Sequence, residues 1–384
     1  MAATLRIEPD AALVKELIEL GGDFKVCQHC ATCTATCSLS TGDHPFPRRQ
    51  MLLAQWGLKE ELMADPAPWL CFYCGECSKA CTRKANPGET MMALRRYLTT
   101  MYDWTGLSRL MYRSMAWEIG VLAIVAMAVI ALFTLPSSFG FGLLSRHPDA
   151  LNTVMLDRFA PKEVVHLGDT IMALVLSFFL LTNAWRMFSA LTSRSNIPFS
   201  EYLKRLPFLV VHGVTQKRWG DCADKDGVRN WLRHLALVSG YGLIFTLVVI
   251  FLPWFQIENH SFHWTSILGY YSTIALLVTT GWMIADRLRK RTEMHRFSHL
   301  SDWLFPILLF LTALSGILVN VFRLMDMPMP TYVIYTAHLA IAVPMLVVEV
   351  PFGKWAHLLY RPLALWVAAV QKEEATAKKA MSAA

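Results

Sequence analysis

The chain has 384 residues, and 54% of them are hydrophobic. Its mean hydropathy of +0.37 is too high for a soluble protein of this size, so the composition favours a protein that lies partly in a membrane. The formal net charge is +7. Because no lysine- and arginine-rich run with interleaved aromatic residues is present, this charge does not indicate nucleic-acid binding, and no nucleic-acid partner is expected.

Residues 1–108 are the predicted soluble domain, and their sequence pattern is helical. Apolar residues at helical spacing predict helices over residues 10–20 and 47–56, and a third helix begins near residue 87. No alternating strand pattern appears in this region. The domain is therefore predicted to be all-α.

Eight of the nine cysteines occur in two copies of one spacing, Cys-x2-Cys-x2-Cys-x3-Cys, at residues 27–37 and 71–81. This is the bacterial ferredoxin run for [4Fe–4S] clusters, in which the fourth cysteine of each run binds the other cluster. The two-residue gaps let three thiolates surround one cubane. We therefore predict an α-helical ferredoxin domain with two clusters, whose ligands are Cys27, Cys30, Cys33 and Cys81 for the first and Cys71, Cys74, Cys77 and Cys37 for the second.

Two other uses of these cysteines fit the spacing less well. A structural zinc site needs four ligands and usually separates its cysteine pairs by a longer loop. A disulfide framework is typical of secreted proteins, and residues 1–26 lack the apolar core of a signal peptide. One departure from the ferredoxin run is that Ser38 and Thr82, rather than proline, follow the last cysteines. Since that proline shapes the backbone and binds no iron, the cluster prediction stands.

Six long apolar stretches follow the soluble domain. They lie at about residues 115–135, 164–188, 231–254, 266–285, 303–322 and 332–350. About 20 helical residues cross a hydrocarbon core of roughly 30 Å. The alternative of buried soluble helices is disfavoured by six such stretches in one chain. We predict a six-helix transmembrane bundle over residues 109–362 and a tail over 363–384.

Basic residues are distributed unevenly between the predicted loops. Residues 189–230, 286–302 and those after 353 are rich in lysine and arginine, whereas 255–265 and 323–331 together hold only Arg323. By the positive-inside rule the basic loops face the cytoplasm, and an even number of spans places both termini there. We expect a multi-pass protein in the lipid of the cytoplasmic membrane, with its iron–sulfur domain and its tail in the cytoplasm.

Four histidines near the ends of the spans are candidate ligands of haem b. His166 and His338 are predicted near the outer face of the membrane, and His234 and His357 near the inner face. Haem b with two axial imidazoles needs one histidine from each of two facing helices. Nineteen residues of straight helix would separate His338 from His357 by about 28 Å, so these two cannot share a haem. We predict an outer haem on His166 and His338 and an inner haem on His234 and His357; the alternative is that each histidine only bonds a neighbouring helix.

His299 and Asp302, at the inner end of the fifth span, are the candidate catalytic pair. Ionisable residues at membrane depth are functional candidates. The pair could relay protons to a quinone head group, or it could cap the helix. Asp169, near the outer end of the second span, is open to the same two interpretations, and Cys222 is predicted to be an ordinary loop cysteine.

These motifs carry a resemblance to known families. The cysteine runs resemble those of the heterodisulfide reductase C (HdrC) family, which has an α-helical ferredoxin fold. The membrane part is similar to the haem b proteins of the nitrate reductase gamma and heterodisulfide reductase E type, in which a Pro-Phe-Gly-Lys-like stretch, here Pro351–Lys354, precedes the second histidine of the last span. The fusion of the two parts through residues 102–109 resembles the membrane components of the quinone-interacting membrane-bound oxidoreductase (Qmo) family. The resemblance extends to about residue 365.

The resemblance implies a role as a redox conduit. Members of the Qmo family pass electrons between menaquinone and two flavin/iron–sulfur proteins, QmoA and QmoB, which connect to adenylylsulfate reductase in dissimilatory sulfur metabolism. For this chain it implies an oxidoreductase subunit with haem b and two [4Fe–4S] clusters, QmoA-like and QmoB-like partners, and menaquinone as substrate. In the nitrate reductase gamma pattern a haem ligand lies ten residues after the position of His234, where this chain has Ile244. The outer haem is therefore expected to use His166.

Two other functions stay open at this point. The first is a heterodisulfide-reductase-like protein that delivers electrons to a thiol or disulfide partner. The chain has no Cys-Cys-Gly motif, so disulfide chemistry would lie on another protein of the complex. The second is a transporter or assembly anchor whose clusters sense redox state. Inverted repeats among the spans would favour a transporter, and none is seen.

Overall fold

The computed structural model describes residues 8–135, 152–216, 218, 227–252, 264–290 and 293–383. Within these residues the chain is built of helices, and the β-type pairing there is limited to an isolated antiparallel bridge between Asp23 and Asn86. The predicted all-α fold is confirmed. Cys222 and most of the loop 255–265 lie outside the described residues.

The N-terminal domain has three helices at the predicted positions and several short ones between them. They are α1 (Ala11–Glu19), α2 (Thr32–Ala35), α3 (Arg48–Gln55), α4 (Lys59–Met63), α5 (Ala67–Leu70), α6 (Glu76–Lys79), α7 (Pro87–Tyr102) and α8 (Leu107–Arg113). The Asp10 carboxylate caps α1 by accepting hydrogen bonds from two backbone N–H groups. The Asn86 side chain caps α7 by accepting from the Glu89 backbone N–H, and Pro87 occupies the first helical position, where no N–H is needed.

Helix α7 is the centre of this domain, because nearly all of its side chains are buried. It packs against α1, α3, α5, α6 and α8. Leu13 and Leu17 of α1 share one core with Leu94 and Leu98 of α7. Each fully buried leucine stabilises the fold by about 1.5–3 kcal/mol. The cysteine runs lie on the loops and on the short helices α2 and α6 around this core.

Six helices after residue 114 are long and apolar enough to cross a membrane. The six spans are α9 (Met115–Thr134), α11 (Lys162–Thr192), α14 (Gly227–Val249), α15 (Trp264–Leu288), α17 (Leu300–Leu324) and a sixth over Pro328–Phe352. Short helices lie between them: α10 (Leu156–Phe159), α12 (Phe199–Lys204), α13 (Leu206–Thr215) and α16 (Glu293–Arg296). Each span corresponds to one predicted stretch, so the prediction of a multi-pass membrane protein is confirmed. Which face is cytoplasmic stays a prediction.

The sixth span is not a straight helix. Its α-helical part α18 (Pro328–Pro344) is followed by a π-helical turn over Met345–Glu349 and by the short helix α19 (Val350–Phe352). Gly353 is extended, with φ −97° and ψ −157°, and ends the span. The straight-helix distance between His338 and His357 therefore does not apply. Pro344 contributes to the break, because proline donates no hydrogen bond to the preceding turn.

The last helix, α20 (His357–Ala383), joins the two parts of the molecule. The sequence predicts a tail that begins at residue 363. In the structure the helix continues past this residue and buries Trp366, Val367 and Val370 in the same core as the N-terminal domain. Tyr360 lies edge-on to Trp69, with ring centroids 5.3 Å apart. Apolar residues at helical spacing in α20 explain this packing.

Candidate electron-transfer centre

The two cysteine runs share one backbone conformation. His29 and Tyr73 occupy equivalent positions and have left-handed φ angles of 54° and 57°. Ala31 and Gly75, two residues further on, have φ angles of 68° and 82°. For residues other than glycine this conformation costs about 1–2 kcal/mol each, and such strain is concentrated at functional sites. Both runs therefore bend twice, at equivalent positions.

The thiols of the two runs lie in two mixed sets. Cys33 is within electrostatic range of Cys27, Cys30 and Cys81, so the last thiol of the second run lies near the first run. Cys77 is within range of Cys71, Cys74 and Cys37 in the same way. We call these the first and the second cysteine set. Their composition is the one that the ferredoxin spacing predicts.

Burial favours the neutral form of several of these thiols. Burial and the neighbouring sulfurs of Cys71 and Cys74 raise the pKa of Cys37 to about 11. Burial likewise raises the pKa of Cys33 and Cys77 above the usual value. Iron atoms would supply the positive charge that lets such crowded thiols ionise, so the donor sets fit iron–sulfur clusters.

Each set combines buried and exposed cysteines. Cys33, Cys71 and Cys77 are buried, whereas Cys30 and Cys74 are exposed. Each set therefore has one sulfur at the protein surface. Among the described residues, no three His, Cys, Asp or Glu side chains are spaced to hold a single metal ion. The sulfurs of a cubane bind different iron atoms, so a cluster does not need that convergence.

The second set lies against the membrane domain. Arg95 donates hydrogen bonds to the carbonyl oxygens of Pro68 (2.7 Å) and Cys71 (2.5 Å) and so fixes the start of this run. The backbone N–H of Tyr73 donates to Cys71 Sγ (3.3 Å). Arg361 of α20 lies 5.8 Å from the centre of the Phe72 ring. The loop that carries Cys71 and Cys74 is thus held between α7 and α20.

His357 begins α20 and is arranged as a metal ligand would be. Its Nδ1–H donates to the Lys354 carbonyl oxygen (2.6 Å), which leaves the lone pair of Nε2 available. Burial lowers the pKa of His357 to about 4, with smaller contributions from nearby cations, so the ring is neutral at physiological pH. His234 lies within electrostatic range of His357 and of Arg361. The two histidines of the predicted inner pair are therefore neighbours.

His338 faces a cavity in the half of the bundle that lies away from the soluble domain. We call this the outer half, and the end at the soluble domain the inner end, as the predicted orientation would have them. The cavity has a volume of ≈ 300 Å³ and lies between α11, α14, α15, α17 and α18. The Ser315 hydroxyl donates to the Leu311 carbonyl oxygen (2.7 Å), so its oxygen accepts from His338 Nδ1–H (3.0 Å). The Nε2 lone pair of His338 is again available, and this residue also fits an axial ligand.

His166 is less well placed for the predicted outer pair. The cavity is lined by Asp169, one turn further along α11, and not by His166. The Nδ1 atom of His166 is buried and has no hydrogen-bond partner among the described residues. Asp169 and His338 therefore line one cavity, and His166 does not line it.

His299 and Asp302 form a capping box at the start of α17. His299 Nδ1 accepts from the Ser301 backbone N–H (3.3 Å), and Asp302 accepts from the His299 backbone N–H (3.1 Å). Burial and the nearby Arg96 guanidinium lower the pKa of His299 to about 4, so the ring is neutral and its Nδ1 can accept. The pair does not line the cavity around His338.

Asp302 is also the centre of a charged contact between the domains. Its carboxylate accepts from Arg96 Nη2 (3.0 Å) and from Lys354 Nζ. Arg96 Nη1 donates to Glu89 (2.8 Å), and Glu89 accepts from the Tyr73 hydroxyl (2.5 Å). Burial disfavours the Arg96 cation, but the two carboxylates outweigh it and raise the pKa of Arg96. Hydrogen bonds thus run without a break from the second cysteine run to Lys354, which in turn accepts from His357.

Several residues of this contact are absent from the sequence prediction. Arg96 and Glu89 are ordinary polar residues of a helix in the sequence, and their partners lie far away in the chain. Two further acids, Glu118 and Glu349, are buried within predicted spans. A charged residue in an apolar span is a recognisable signal, and it could have identified both.

The comparisons with known proteins agree with the geometry of the N-terminal domain. The 4Fe-4S dicluster domain family matches residues 26–86, which contain both cysteine runs. A protein of Archaeoglobus profundus that is named as similar to the C component of heterodisulfide reductase is 35% identical over 92 residues, which are 23% of this chain and 49% of the relative. The C component of the H(2):CoB-CoM heterodisulfide,ferredoxin reductase of Methanothermobacter thermautotrophicus is 38% identical over 77 residues, 20% of this chain and 41% of the relative.

A third relative, the C component of the ferredoxin:CoB-CoM heterodisulfide reductase of Methanosarcina mazei, is 32% identical over 85 residues, 22% of this chain and 52% of that protein. The chain thus spans about half the length of the curated relatives it matches. No solved structure matches the chain. The N-terminal part is an iron–sulfur dicluster domain similar to HdrC proteins, and it is fused to a membrane domain of six apolar helices.

Proposed function

We propose that the chain is the membrane component of a respiratory redox complex that transfers electrons between menaquinone and cytoplasmic flavin/iron–sulfur partners. One observation carries this proposal: Arg95 and Arg361 act electrostatically on both Cys71 and His357. The second cysteine set and the inner histidine pair therefore share two charged neighbours at the boundary of the domains. Adjacent redox groups at that boundary would join the membrane to the soluble domain.

The proposed ligands follow from the donors described above. The first cysteine set would hold one [4Fe–4S] cluster and the second set the other. His234 and His357 would hold an inner haem b, and His338 with His166 an outer one. When bound, these groups supply one-electron redox chemistry. The protein fixes the imidazoles of His357 and His338 through Lys354 and Ser315, and it buries three of the eight cysteines, Cys33, Cys71 and Cys77.

The partners are proposed from the resemblance to the Qmo family and from the exposed sulfurs. Cys30 and Cys74 are exposed, so each cluster would have an edge that a soluble protein could approach. QmoA-like and QmoB-like flavin/iron–sulfur proteins, linked to adenylylsulfate reductase in sulfur metabolism, are the proposed partners. The basic loops around the inner ends of the spans support a cytoplasmic position of this surface.

Reoxidation by a quinone tests this function. The purified chain is reduced with dithionite without oxygen, the excess reductant is removed, and a soluble menaquinone analogue is added. We expect the haem absorption and the EPR signals of the reduced clusters to return to the oxidised state. The function is contradicted if haem and clusters stay reduced in the wild type. The His357→Ala variant is the control: its clusters should stay reduced, because their connection to the membrane domain is lost.

The matched relatives favour a second candidate. Their names describe components of heterodisulfide reductases, so this chain could deliver electrons to a thiol or disulfide partner instead of exchanging them with quinone. The same reduced protein separates the two functions. Oxidation by a disulfide in the presence of the partner proteins, without any oxidation by the menaquinone analogue, would favour the heterodisulfide-reductase-like function.

A further inference from the structure

Two glutamates are buried in neighbouring spans and belong to none of the sites described above. Glu118 lies in α9 and is 1% exposed, and Glu349 lies in the π-helical turn of the sixth span and is 0% exposed. Carboxylates at membrane depth are costly and are functional candidates by default. A π-helical turn in a helix is a further feature that often marks functional sites.

Chain neighbours of the two glutamates pack together in one apolar cluster at the end of the bundle that joins the soluble domain. Leu122, one turn after Glu118, packs with Val348 and Phe352, which flank Glu349 in the chain. Glu118 and Glu349 are within electrostatic range of each other. Their surroundings are therefore of low polarity, and like charges there repel strongly.

Hydrogen bonds do not offset the burial of these groups. Oε2 of Glu118 and both carboxylate oxygens of Glu349 have no hydrogen-bond partner among the described residues. The backbone N–H of Lys354 lies near the Glu349 carboxylate but outside normal hydrogen-bond geometry. The carboxylate fills the space where a side chain at Gly353 would begin, so glycine at this position leaves room for it.

The cations of this region are engaged elsewhere. Arg96 of α7 pairs with Glu89 and Asp302, and Lys354 pairs with Asp302 of α17. The remaining titratable neighbours are Tyr112 of α8 and His299, whose rings lie 6.3 Å apart. No ion pair to Glu118 or Glu349 is found within the described part of the chain. Two ionised carboxylates cannot coexist in such a site, so at least one of them holds a proton.

We propose that Glu118 and Glu349 form a proton-exchanging pair that answers to the electron occupancy of the His234–His357 site. This step rests on the proposed function. The Glu349 carboxylate lies against Gly353, and the next residue, Lys354, accepts the hydrogen bond from His357. When one electron arrives, one proton moves from water on the side of the soluble domain to a carboxylate oxygen, where one O–H bond forms. When the electron leaves, this bond breaks and the proton returns to water. Tyr112 is within electrostatic range of both carboxylates, and its ring lies near that of the half-buried His299, so these two residues are the polar groups that the proton would pass.

Infrared spectroscopy of the purified full chain tests the proposal. A protonated carboxylic acid has a carbonyl band apart from that of a carboxylate, and the band shifts in heavy water. We expect the wild type to show this band at neutral pH and to change it on electrochemical reduction. The double variant Glu118→Gln/Glu349→Gln should lose both the band and the change. With Asp instead of Gln at position 349, the variant Glu118→Gln/Glu349→Asp again has a titratable group. It should regain part of the band and part of its change on reduction.

The matched control is Glu163→Gln, an exposed glutamate in the first turn of α11, which should leave the spectrum unchanged. A wild type without the band, or a double variant that keeps it, overturns the proton-holding pair. A band that is lost in the variant but does not respond to reduction of the wild-type haem overturns its link to electron transfer. A wild type without haem absorption contradicts the proposed function, and the static band still tests the pair.

Discussion

The inner end of the membrane bundle and its outer half are built in different ways. At the inner end, Arg96, Asp302 and Lys354 form buried ion pairs, and α20 packs on the core of the soluble domain. In the outer half, the helices enclose a cavity of ≈ 300 Å³ around His338. The first region fixes the positions of its groups, and the second has space for a bound molecule.

Because of this difference, the two regions suit different functions. Electron transfer between permanently held groups needs fixed distances, and the inner end supplies them through charges and aromatic packing. A cofactor or a quinone needs a concave apolar site with a few polar groups, and the outer cavity has that character. The two regions share the helices α14 and α17, so substitutions in one can be compared directly with substitutions in the other.

The largest expected effect is the loss of a haem. His357→Ala should remove the inner haem and leave the outer one, because His338 has its own hydrogen-bonded arrangement. His338→Ala should do the reverse. The haem content by pyridine haemochrome and the two visible spectra measure this. A normal haem content in His357→Ala would contradict the inner ligand assignment.

The next effect concerns the second cysteine set, which lies at the inner region. Cys74→Ser should remove one cluster, lower the iron content by about four atoms per chain and leave the haem unchanged. Cys30→Ser is the matched control, because it is the equivalent exposed thiol of the first set. EPR of the reduced protein distinguishes the two clusters. An unchanged spectrum in Cys74→Ser would remove this cysteine from the ligands.

A smaller effect is expected from the ion pairs. Arg96→Met leaves the buried carboxylate of Glu89 without its cation and Asp302 with Lys354 alone, and it should lower the free energy of unfolding by about 3–5 kcal/mol. Arg109 pairs with Glu16 but is half exposed, so Arg109→Met should cost only about 0–1 kcal/mol. Chemical unfolding in detergent, followed by circular dichroism, measures both. Equal losses would show that the inner contact is not a buried ion pair.

The smallest expected effect is the contribution of His299 to the pH dependence of the free energy of unfolding. Its pKa is about 4 in the folded protein, against a usual value of 6.5. Between these values the unfolded chain binds more protons, so the free energy of unfolding should fall as the pH is lowered from 6.5 to 4. His299→Gln should flatten this dependence, whereas His44→Gln, at an exposed residue, should leave it unchanged. An equal slope in His299→Gln and the wild type would contradict the buried neutral ring.

The sequence predicts the parts of this molecule whose signal is local. The cysteine spacing predicts the mixed sets because the chain itself supplies the bends between the thiols. The apolar runs predict the six spans because length and composition decide insertion in a bilayer. In contrast, the contact of Arg96 with Asp302 joins residues about two hundred positions apart, and no local pattern specifies it.

Two other features escape prediction for different physical reasons. The polar and alanine-rich end of α20 has the composition of a tail, and the partners of its apolar residues Trp366, Val367 and Val370 lie far away in the chain, so their packing on the soluble core is not visible in the sequence. The break in the sixth span depends on the π-helical turn, which short-range propensities do not predict. The sequence indicates all four candidate histidines. Only the packing of the helices shows that His338 lines the cavity and that His166 does not.

The amount of haem and iron per chain is the most direct test of the proposed electron path between the membrane and the clusters. The protein is purified in detergent, and haem is measured by pyridine haemochrome and iron by a chemical assay. Both cysteine sets and both histidine pairs together predict two haems and about ten iron atoms. One haem with about nine irons would keep the inner pair and remove His166 from the ligands. A protein with eight irons or fewer and no haem would contradict an electron path between the membrane and the clusters.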